Sequence, residues 1–297
     1  DNFMICKPTS LMSNTVVITG ASKGFGRAVA KAFARCLDGS IHFVLSGRSQ
    51  PELSTLLTEL TDKSEPSRNI SSEIIIGDVS QPHELTNLAE RLFKKDSLLR
   101  AGATTETNIY FVNNAGSLGP LTNVGNSAQS AMEITNVINT NITSCFFLTS
   151  HFVKSIEDIA STTTPSMIGS VHLVNVSSIT AVLPCVTMSL YCAGKAARDM
   201  YHAVLAEEQK KKHASSSQPY TPISVLNYAP GPMDTNMQAT IREAEAADPT
   251  LGTVYTDMKT EGKLVDCEVS AEKMVKILST VNAYESGAHI DYFDEVP

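Results

Sequence analysis

Short apolar runs recur along the chain, and the longer stretches that separate them have apolar residues at every third or fourth position. The runs are rich in β-branched residues and stand at 15–19, 41–46, 73–77, 109–113, 171–176 and 223–228. They are continuous rather than alternating, which is typical of strands in a parallel sheet that helices cover on both faces. A seventh short strand is expected at 288–293.

The stretches between the runs, such as 25–37, 82–95 and 189–211, have the spacing of amphipathic helices. A chain that alternates strand and helix in this way is typical of the α/β class. We therefore predict a Rossmann-like, doubly wound sheet of about seven parallel strands with helices on both faces.

The alternation runs from residue 15 to the end, so we predict one domain over 15–297 after a flexible leader at 1–14. One segment, 233–267, interrupts the rhythm after the sixth strand and has a helical pattern. In doubly wound folds an insertion there lies beyond the carboxyl ends of the strands, where ligands bind. We expect 233–267 to be a lid over a substrate site.

Composition narrows the classes of function. The net charge of −8 argues against nucleic-acid binding, which needs clustered Lys and Arg, and the basic run at 209–213 suits a solvated helix end. No apolar run reaches the roughly 18 residues of a membrane span, and the first residues lack the pattern of a signal peptide. The six cysteines form no CxxC pair and suit no metal site. We expect a cytoplasmic protein with reduced cysteines.

A glycine-rich turn follows the first predicted strand, with Gly20, Gly24 and Gly26 in VVITGASKGFG. Glycines permit a tight turn and a close approach of the backbone to a pyrophosphate, which then sits at a helix N-terminus. The motif is weak in isolation, but here a strand precedes it and an amphipathic helix follows. A dinucleotide site is therefore predicted in preference to an ordinary strand-to-helix turn.

The end of the second strand indicates which dinucleotide binds. NAD-binding proteins place Asp or Glu there to accept a hydrogen bond from the ribose 2′-OH. This chain has Arg48 in LSGRS and Lys23 inside the glycine turn. Two cations without a carboxylate at that position favour a 2′-phosphate, because Arg presents a planar fork of donors. The predicted cofactor is NADP(H).

Two later strand ends add candidate cofactor contacts. Asp78 follows the third strand and is a candidate acceptor for the adenine amino group. The NNAG run at 113–116 offers small residues where the dinucleotide passes, although Asn113 and Asn114 suit loop caps as well.

Tyr191 and Lys195 are a candidate proton-transfer pair. They stand four residues apart on a helix predicted from about 189, so they share one face. Hydride transfer to a carbonyl leaves an alkoxide that needs a proton. Free Tyr has a pKa of about 10, and a nearby ammonium would lower it. Such a spacing also arises often by chance on helix surfaces.

Three more polar residues lie near that pair in the predicted fold. Ser177 or Ser178, at the end of the fifth strand, suits polarisation of a substrate carbonyl, although serines there often cap helices. Asn141 is a candidate to hold a water beside Lys195, although NIT is also a glycosylation sequon.

The motifs TGASKGFG, NNAG, YCAGK and PGPMDT, with Asn141 and Ser178 between them, stand in the order of the short-chain dehydrogenase/reductase family, which the chain resembles. The resemblance implies a catalytic set of Asn141, Ser178, Tyr191 and Lys195. It selects Ser178 over Ser177, because the family's serine stands thirteen positions before the tyrosine. It also implies a homodimer built from helices around 136–158 and 189–211.

With the motifs above, the resemblance implies a larger set of cofactor contacts. They are Gly20, Ala21, Ser22, Lys23, Gly24, Phe25, Gly26, Arg48, Ser49, Gly77, Asp78, Asn114, Ala115, Gly116, Tyr191, Lys195, Met233, Asp234, Thr235, Asn236, Met237 and Gln238.

The blocks GKLVDCEVSAEK and SGAHIDYFD narrow the resemblance to the members of the family that reduce pterin side-chain carbonyls. It implies NADPH-dependent reduction of 6-pyruvoyl-tetrahydropterin and of sepiapterin, with Tyr191 as proton donor. The implied substrate contacts are Ser178, Ile179, Gly231 and Asp291. One carboxylate at Asp291 can accept two hydrogen bonds from the guanidine-like edge of a pterin ring.

One departure leaves the substrate open. The loop between Ser178 and Tyr191 has no aromatic residue, so Cys185, Thr187 and Met188 are expected to line the pocket in its place. The alternatives are a reductase of broader carbonyl or steroid specificity and a non-catalytic NADP(H)-sensing protein.

Overall fold

The computed structural model describes residues 12–61, 69–99, 106–125, 130–163, 167–215, 222–243 and 249–296. Within these ranges seven strands form one parallel sheet in the order β3-β2-β1-β4-β5-β6-β7. The strands are β1 Ser13–Thr19, β2 Ser40–Gly47, β3 Ile70–Ile76, β4 Thr107–Asn113, β5 Ile168–Val176, β6 Ile223–Ala229 and β7 His289–Asp291. The predicted fold class is confirmed.

Ten α-helices are present in the same part of the chain. They are α1 Gly24–Cys36, α2 Gln50–Leu60, α3 Leu85–Leu92, α4 Lys95–Leu98, α5 Ala131–Ile138, α6 Ser144–Thr162, α7 Ser189–Ser215, α8 Asn236–Glu243, α9 Pro249–Thr260 and α10 Cys267–Ser279. None of these helices has both the length and the apolarity needed to cross a bilayer. Most of the expected leader, 1–11, lies outside the described residues, and β1 begins at Ser13.

Neighbouring residues of the inner strands bury their side chains on opposite faces of the sheet. Val16 and Ile18 pack with α1 and α10, while Val17 packs with the helices of the other face. Both faces are covered, which is why these strands are continuously apolar. Because the strands are parallel, the carboxyl ends of β1, β4 and β5 lie at the same edge of the sheet. The strand order reverses between β1 and β4, which is where ligands bind in doubly wound folds.

Several element boundaries differ from the prediction. Strand β5 begins three residues early, at Ile168, helix α7 continues to Ser215, and β7 is shorter than expected. Strand β3 begins three residues early because Ser71 and Glu73, polar residues on an edge strand, find partners in His42 (2.9 Å) and Ser97 (2.8 Å). The helix predicted over 82–95 is divided into a 3-10 turn, α3 and α4.

Candidate active site

The turn between β1 and α1 has the geometry of a phosphate cradle. Gly20 and Gly24 have φ of +66° and +54°, in the left-handed region that favours glycine. The Ala21 N–H donates to Ser46 O at 2.9 Å, which ties the turn to β2. Lys23 caps α1 without a side-chain hydrogen bond, so no side chain of the cap residue occupies the N–H groups of the first helical turn.

The third glycine of the motif is required by packing. A Cβ added at Gly26 would lie 2.3 Å from Gly20 O and 2.6 Å from Asn114 Nδ2. The Asn114 amide donates to Thr19 O and Gly20 O at 2.9 and 3.1 Å, so its side chain holds the turn itself. Phe25 stacks on Tyr228 at 6.2 Å between ring centroids and belongs to the core. The predicted turn is therefore present and is held by contacts within the chain. The side chains of Asn114 and Phe25 take part in those contacts.

The ends of β2 and β3 place charged groups beside the cradle. Arg48 is 71% exposed, and Lys23 is exposed too, so both cations are free to meet a phosphate. The carboxylate of Asp78 lies 3.9 Å from Arg48 Nη1, and its other oxygen accepts from Ser80 N–H at 3.0 Å. A carboxylate therefore does approach Arg48, but from the neighbouring strand. Ser49 caps α2 by accepting from Glu52 N–H at 3.4 Å.

Tyr191 and Lys195 are both buried on the first two turns of α7. Lys195 Nζ lies 5.5 Å from the Tyr191 ring centroid and donates to Val176 O at 2.6 Å. Burial lowers the pKa of Lys195 to about 7, and the charge of Arg198 lowers it further. Burial raises the pKa of Tyr191 to about 12, against the opposing effects of Arg198 and a hydrogen bond with Ser178. The expected lowering of the Tyr191 pKa is wrong here, because burial outweighs the nearby charges.

The two serines after β5 have different surroundings. Ser178 is half-buried, and its Oγ accepts from the Thr180 N–H (3.2 Å) and from Thr180 Oγ1 (3.0 Å). Ser177 is buried, and its Oγ has no hydrogen-bond partner within the described ranges. Of the two serines, Ser178 is the one whose side chain interacts with Tyr191.

Asn141 lies in a π-helical turn, Asn139–Thr143, between α5 and α6. Its side chain accepts from Ser117 N–H and donates to Ser117 O, both at 2.8 Å, so it holds the loop after β4. Helix α7 comes close to this turn because residue 194 is glycine, and a Cβ there would lie 3.3 Å from that of Asn141. This packing places the π turn next to the helix that carries Lys195.

Arg198 is a site residue that the motifs did not reveal. Its guanidinium is fully buried and donates to Asn113 O, Ala115 O and Asn175 Oδ1 at 2.5, 3.0 and 2.7 Å. The only signal in the sequence is an Arg three positions after Lys195 on a predicted helix, and such residues are usually solvated.

The segment expected to be a lid contains α8 and α9, and Tyr255 on α9 packs against the cluster of Leu118, Met188, Tyr191 and Ile241. An aromatic ring therefore does reach the pocket, from the lid rather than from the loop before Tyr191. The remaining lid residues hold the segment together. Gln238 donates to Tyr255 O at 3.3 Å, Asp234 pairs with Lys259, Thr235 accepts from the Gln238 N–H, and Met237 packs against the cluster.

The loop before α7 partly matches the expectation. Cys185 and Met188 pack with the cluster around Tyr191. Thr187 is buried with φ of +66°, a strained conformation for a β-branched residue, and its Oγ1 has no partner in the described part of the chain. Ile179 is exposed at the rim.

Asp291 ends strand β7 and is buried. One of its oxygens accepts from Phe293 N–H at 3.0 Å. Gly231, after β6, has φ of +81°, and a Cβ there would lie 3.0 Å from Val265 Cγ2 and 3.5 Å from Tyr292 Cβ. The glycine lets the start of the lid approach the residue next to Asp291.

Comparisons with known proteins agree with this fold. Residues 14–246 match the family model of short chain dehydrogenases. Sepiapterin reductase of Xenopus tropicalis is 37% identical over 96% of this chain and 98% of its own length, and benzil reductase ((S)-benzoin forming) of Bacillus cereus is 30% identical over 89% and 94%. The solved structure of L-sorbose reductase from Gluconobacter frateurii with NADPH and L-sorbose has a TM-score of 0.70 at 21% identity and covers 95% and 96% of the two chains. That last likeness shows the fold alone.

Proposed function

The chain belongs to the short-chain dehydrogenase family, and from that premise we propose that it reduces side-chain ketones of pterins with NADPH. The chain is an NADP-dependent oxidoreductase. What we propose in addition is that its substrate is a pterin. Its substrates would be 6-pyruvoyl-tetrahydropterin and sepiapterin, which become tetrahydrobiopterin and dihydrobiopterin. The observation that carries the proposal is the similarity to sepiapterin reductase over nearly the whole of both chains.

The residues at the strand ends fit NADP(H). The turn at Gly20–Gly26 would hold a pyrophosphate, because its glycines keep the turn tight and the first turn of α1 offers N–H groups to the phosphates. Arg48 and Lys23 would bind the 2′-phosphate, and Lys195 the nicotinamide ribose. When bound, NADPH supplies the hydride that converts a ketone into an alkoxide.

The proton would come from Tyr191. Its raised pKa keeps the hydroxyl protonated at neutral pH, which is the form that a donor in the reducing direction needs. Ser178 would polarise the ketone by donating to its oxygen. Burial lowers the pKa of Lys195 to about 7, so its ammonium would give up a proton towards Tyr191 more readily than an exposed lysine.

Asp291 would anchor the pterin ring. It is a buried carboxylate next to the start of the lid, and a pterin edge offers it two donors side by side. The 233–267 segment would act as the lid, with Tyr255 against the ring.

Sepiapterin and NADPH test the proposal directly, with the absorbance of reduced nicotinamide as the measurement. We expect oxidation of NADPH only when sepiapterin is present. Asp291→Ala should lose pterin turnover and keep NADPH affinity, whereas Glu295→Ala removes an exposed carboxylate four residues away and is the matched control. A wild-type chain that binds NADPH but reduces no carbonyl would point to a sensor.

A second candidate is the reduction of apolar vicinal diketones. The rim of the site exposes Ile179, Val182, Leu183 and Val186, and a benzil reductase is among the relatives. This candidate gains support if benzil is turned over with a higher kcat/KM than sepiapterin and if Asp291→Ala leaves benzil turnover intact.

We also propose a homodimer through α6 and α7. Met200 and Val204 on α7 are 67% and 50% exposed, and Phe147 on α6 is only half-buried. Exposed apolar residues of this size favour an interface. The double variant Met200→Glu and Val204→Glu should elute as a monomer in size-exclusion chromatography, whereas a wild-type chain that already elutes as a monomer would contradict the dimer.

A further inference from the structure

The guanidinium of Arg198 joins three elements beneath the site. Asn113 and Ala115 belong to the end of β4 and the loop after it, Asn175 lies on β5, and Arg198 itself lies on α7. The same helix carries Lys195 one turn earlier and Tyr191 two turns earlier. One side chain therefore connects the predicted cofactor loop to the helix of the proton-transfer pair.

A fully buried cation is costly unless its hydrogen bonds and its charge are both satisfied. Asn175 accepts from Arg198 Nε and donates to Asp199 Oδ1 at 2.9 Å, so the carboxylate balances the cation through one amide. Gly116 is close as well, since a Cβ there would lie 3.7 Å from Arg198 Nη1.

Titratable groups on both α7 and α6 lie around Arg198. On α7 they are Tyr191, Lys195, Asp199 and His202, and on α6 there is Cys145. Burial lowers the pKa of His202 to about 4 and raises that of the Cys145 thiol, so both are neutral at neutral pH. Asp199 also contacts His289 of β7 at 2.6 Å, and this hydrogen bond raises the pKa of His289.

We propose that Arg198 is a positioning residue of the reaction: it fixes the β4 cofactor loop against α7 and sets the electrostatic environment of Tyr191 and Lys195. This inference rests on the proposed function, since it requires that the chain reduces a carbonyl with NADPH. It does not require that the substrate is a pterin. Arg is required because three acceptors on two elements lie around one planar group, and a Lys ammonium cannot reach all three from one point.

Two variants separate geometry from charge. Arg198→Met removes both, and we expect the Kd for NADPH to rise about ten- to a hundredfold. The alkaline limb of kcat should move up by about one pH unit, because the cation lowers the pKa of Tyr191 and of Lys195. Arg198→Lys keeps the charge, so it should weaken NADPH binding while the limb stays in place.

Gln209→Ala is the matched control for general destabilisation. Gln209 is a buried polar residue on α7 that accepts from Ile223 N–H at 3.3 Å, about 21 Å along the helix from Lys195. It should lower Tm without a change in the alkaline limb or in NADPH affinity. An Arg198→Met protein with the wild-type limb and wild-type Kd overturns the proposal, and so does a loss that Gln209→Ala reproduces.

The folding risk of Arg198→Met is covered by Arg198→Lys, since wild-type NADPH affinity in that variant would also overturn the proposal. NADPH affinity is measured by fluorescence without any substrate. The pH profile can be followed with sepiapterin or with benzil. A chain that rejects sepiapterin therefore refutes the pterin assignment while the test of Arg198 proceeds.

Discussion

Two adjacent hydroxyls after β5 show how much one position matters in this site. Ser178 Oγ is half-exposed and interacts with Tyr191, whereas Ser177 Oγ is buried and has no hydrogen-bond partner in the ranges that the structure covers. A buried hydroxyl without a partner costs free energy, so its removal should not destabilise the fold. The two serines are matched probes of function and of packing.

We expect Ser178→Ala to lower kcat by about 10²- to 10³-fold, since a donor to the developing oxyanion is lost. Ser177→Ala should leave kcat unchanged and keep or raise Tm. Steady-state kinetics and thermal melts of the two variants check this. Equal losses of kcat in both would contradict the assignment of Ser178.

Arg48 is the residue on which we expect cofactor choice to depend. Its guanidinium is exposed at the end of β2, with Asp78 3.9 Å away. We expect Arg48→Asp to raise the KM for NADPH by about ten- to a hundredfold, because a charged hydrogen bond to phosphate is replaced by repulsion. The KM for NADH should fall, and Arg48→Lys is the control that keeps the charge. Unchanged NADPH kinetics in Arg48→Asp would count against the 2′-phosphate site.

Helix α7 carries both Tyr191 and Lys195, the proposed proton-transfer pair. Tyr191 and Lys195 could be found from the sequence because four residues make one helical turn and the pair belongs to a motif. Arg198 and Asp199 could not, because their roles depend on carbonyls and amides from β4 and β5 that only the folded sheet brings near. The pKa of Tyr191 was missed for the same reason, since burial cannot be measured from spacing.

Sequence patterns predicted the strands well, because continuous apolar runs follow directly from a sheet that is buried on both faces. They predicted β3 less well, since its polar residues are satisfied by partners distant in the chain. The resemblance to sepiapterin reductase is confirmed by the identity over nearly the whole chain. The position of Tyr255 beside Tyr191 could not be predicted, because Tyr255 comes from α9, some sixty residues later in the chain.

The lid helices give a prediction for Tyr255. Tyr255→Ala should raise the KM for sepiapterin about five- to fiftyfold, since an aromatic contact with the ring is lost. NADPH affinity should stay at the wild-type level, and Tyr255→Phe should retain most activity. Thr256→Ala, an exposed neighbour on α9, is the control. A Tyr255→Ala enzyme with normal KM would mean that the ring does not reach the substrate.

At the scale of the whole molecule, His289 links stability to pH. The hydrogen bond between its Nδ1 and Asp199 Oδ2, 2.6 Å long, raises its pKa above 6.5. The folded chain then binds the proton more tightly than the unfolded chain. This stabilisation is complete below pH 6.5 and is lost as pH rises through the folded-state pKa.

We therefore expect His289→Asn to lower Tm more at about pH 6 than at about pH 8.5. Thermal melts over that range measure the difference between variant and wild type. His83→Asn, at an exposed position on the 3-10 turn, should give the same difference at every pH. A pH-independent effect of His289→Asn would contradict a charged pair with Asp199.

Strand β7 has three residues and pairs with β6 alone, at the edge of the sheet. It carries Asp291, whereas the glycine turn, Ser178, Tyr191 and Lys195 stand on or beside β1, β5 and α7 in the middle. The group proposed to recognise the substrate is thus on a different part of the framework from the groups proposed to move hydride and proton. Such a layout is modular: an exchange of the C-terminal strand and lid would be expected to redirect the enzyme to another ketone while its redox centre is retained.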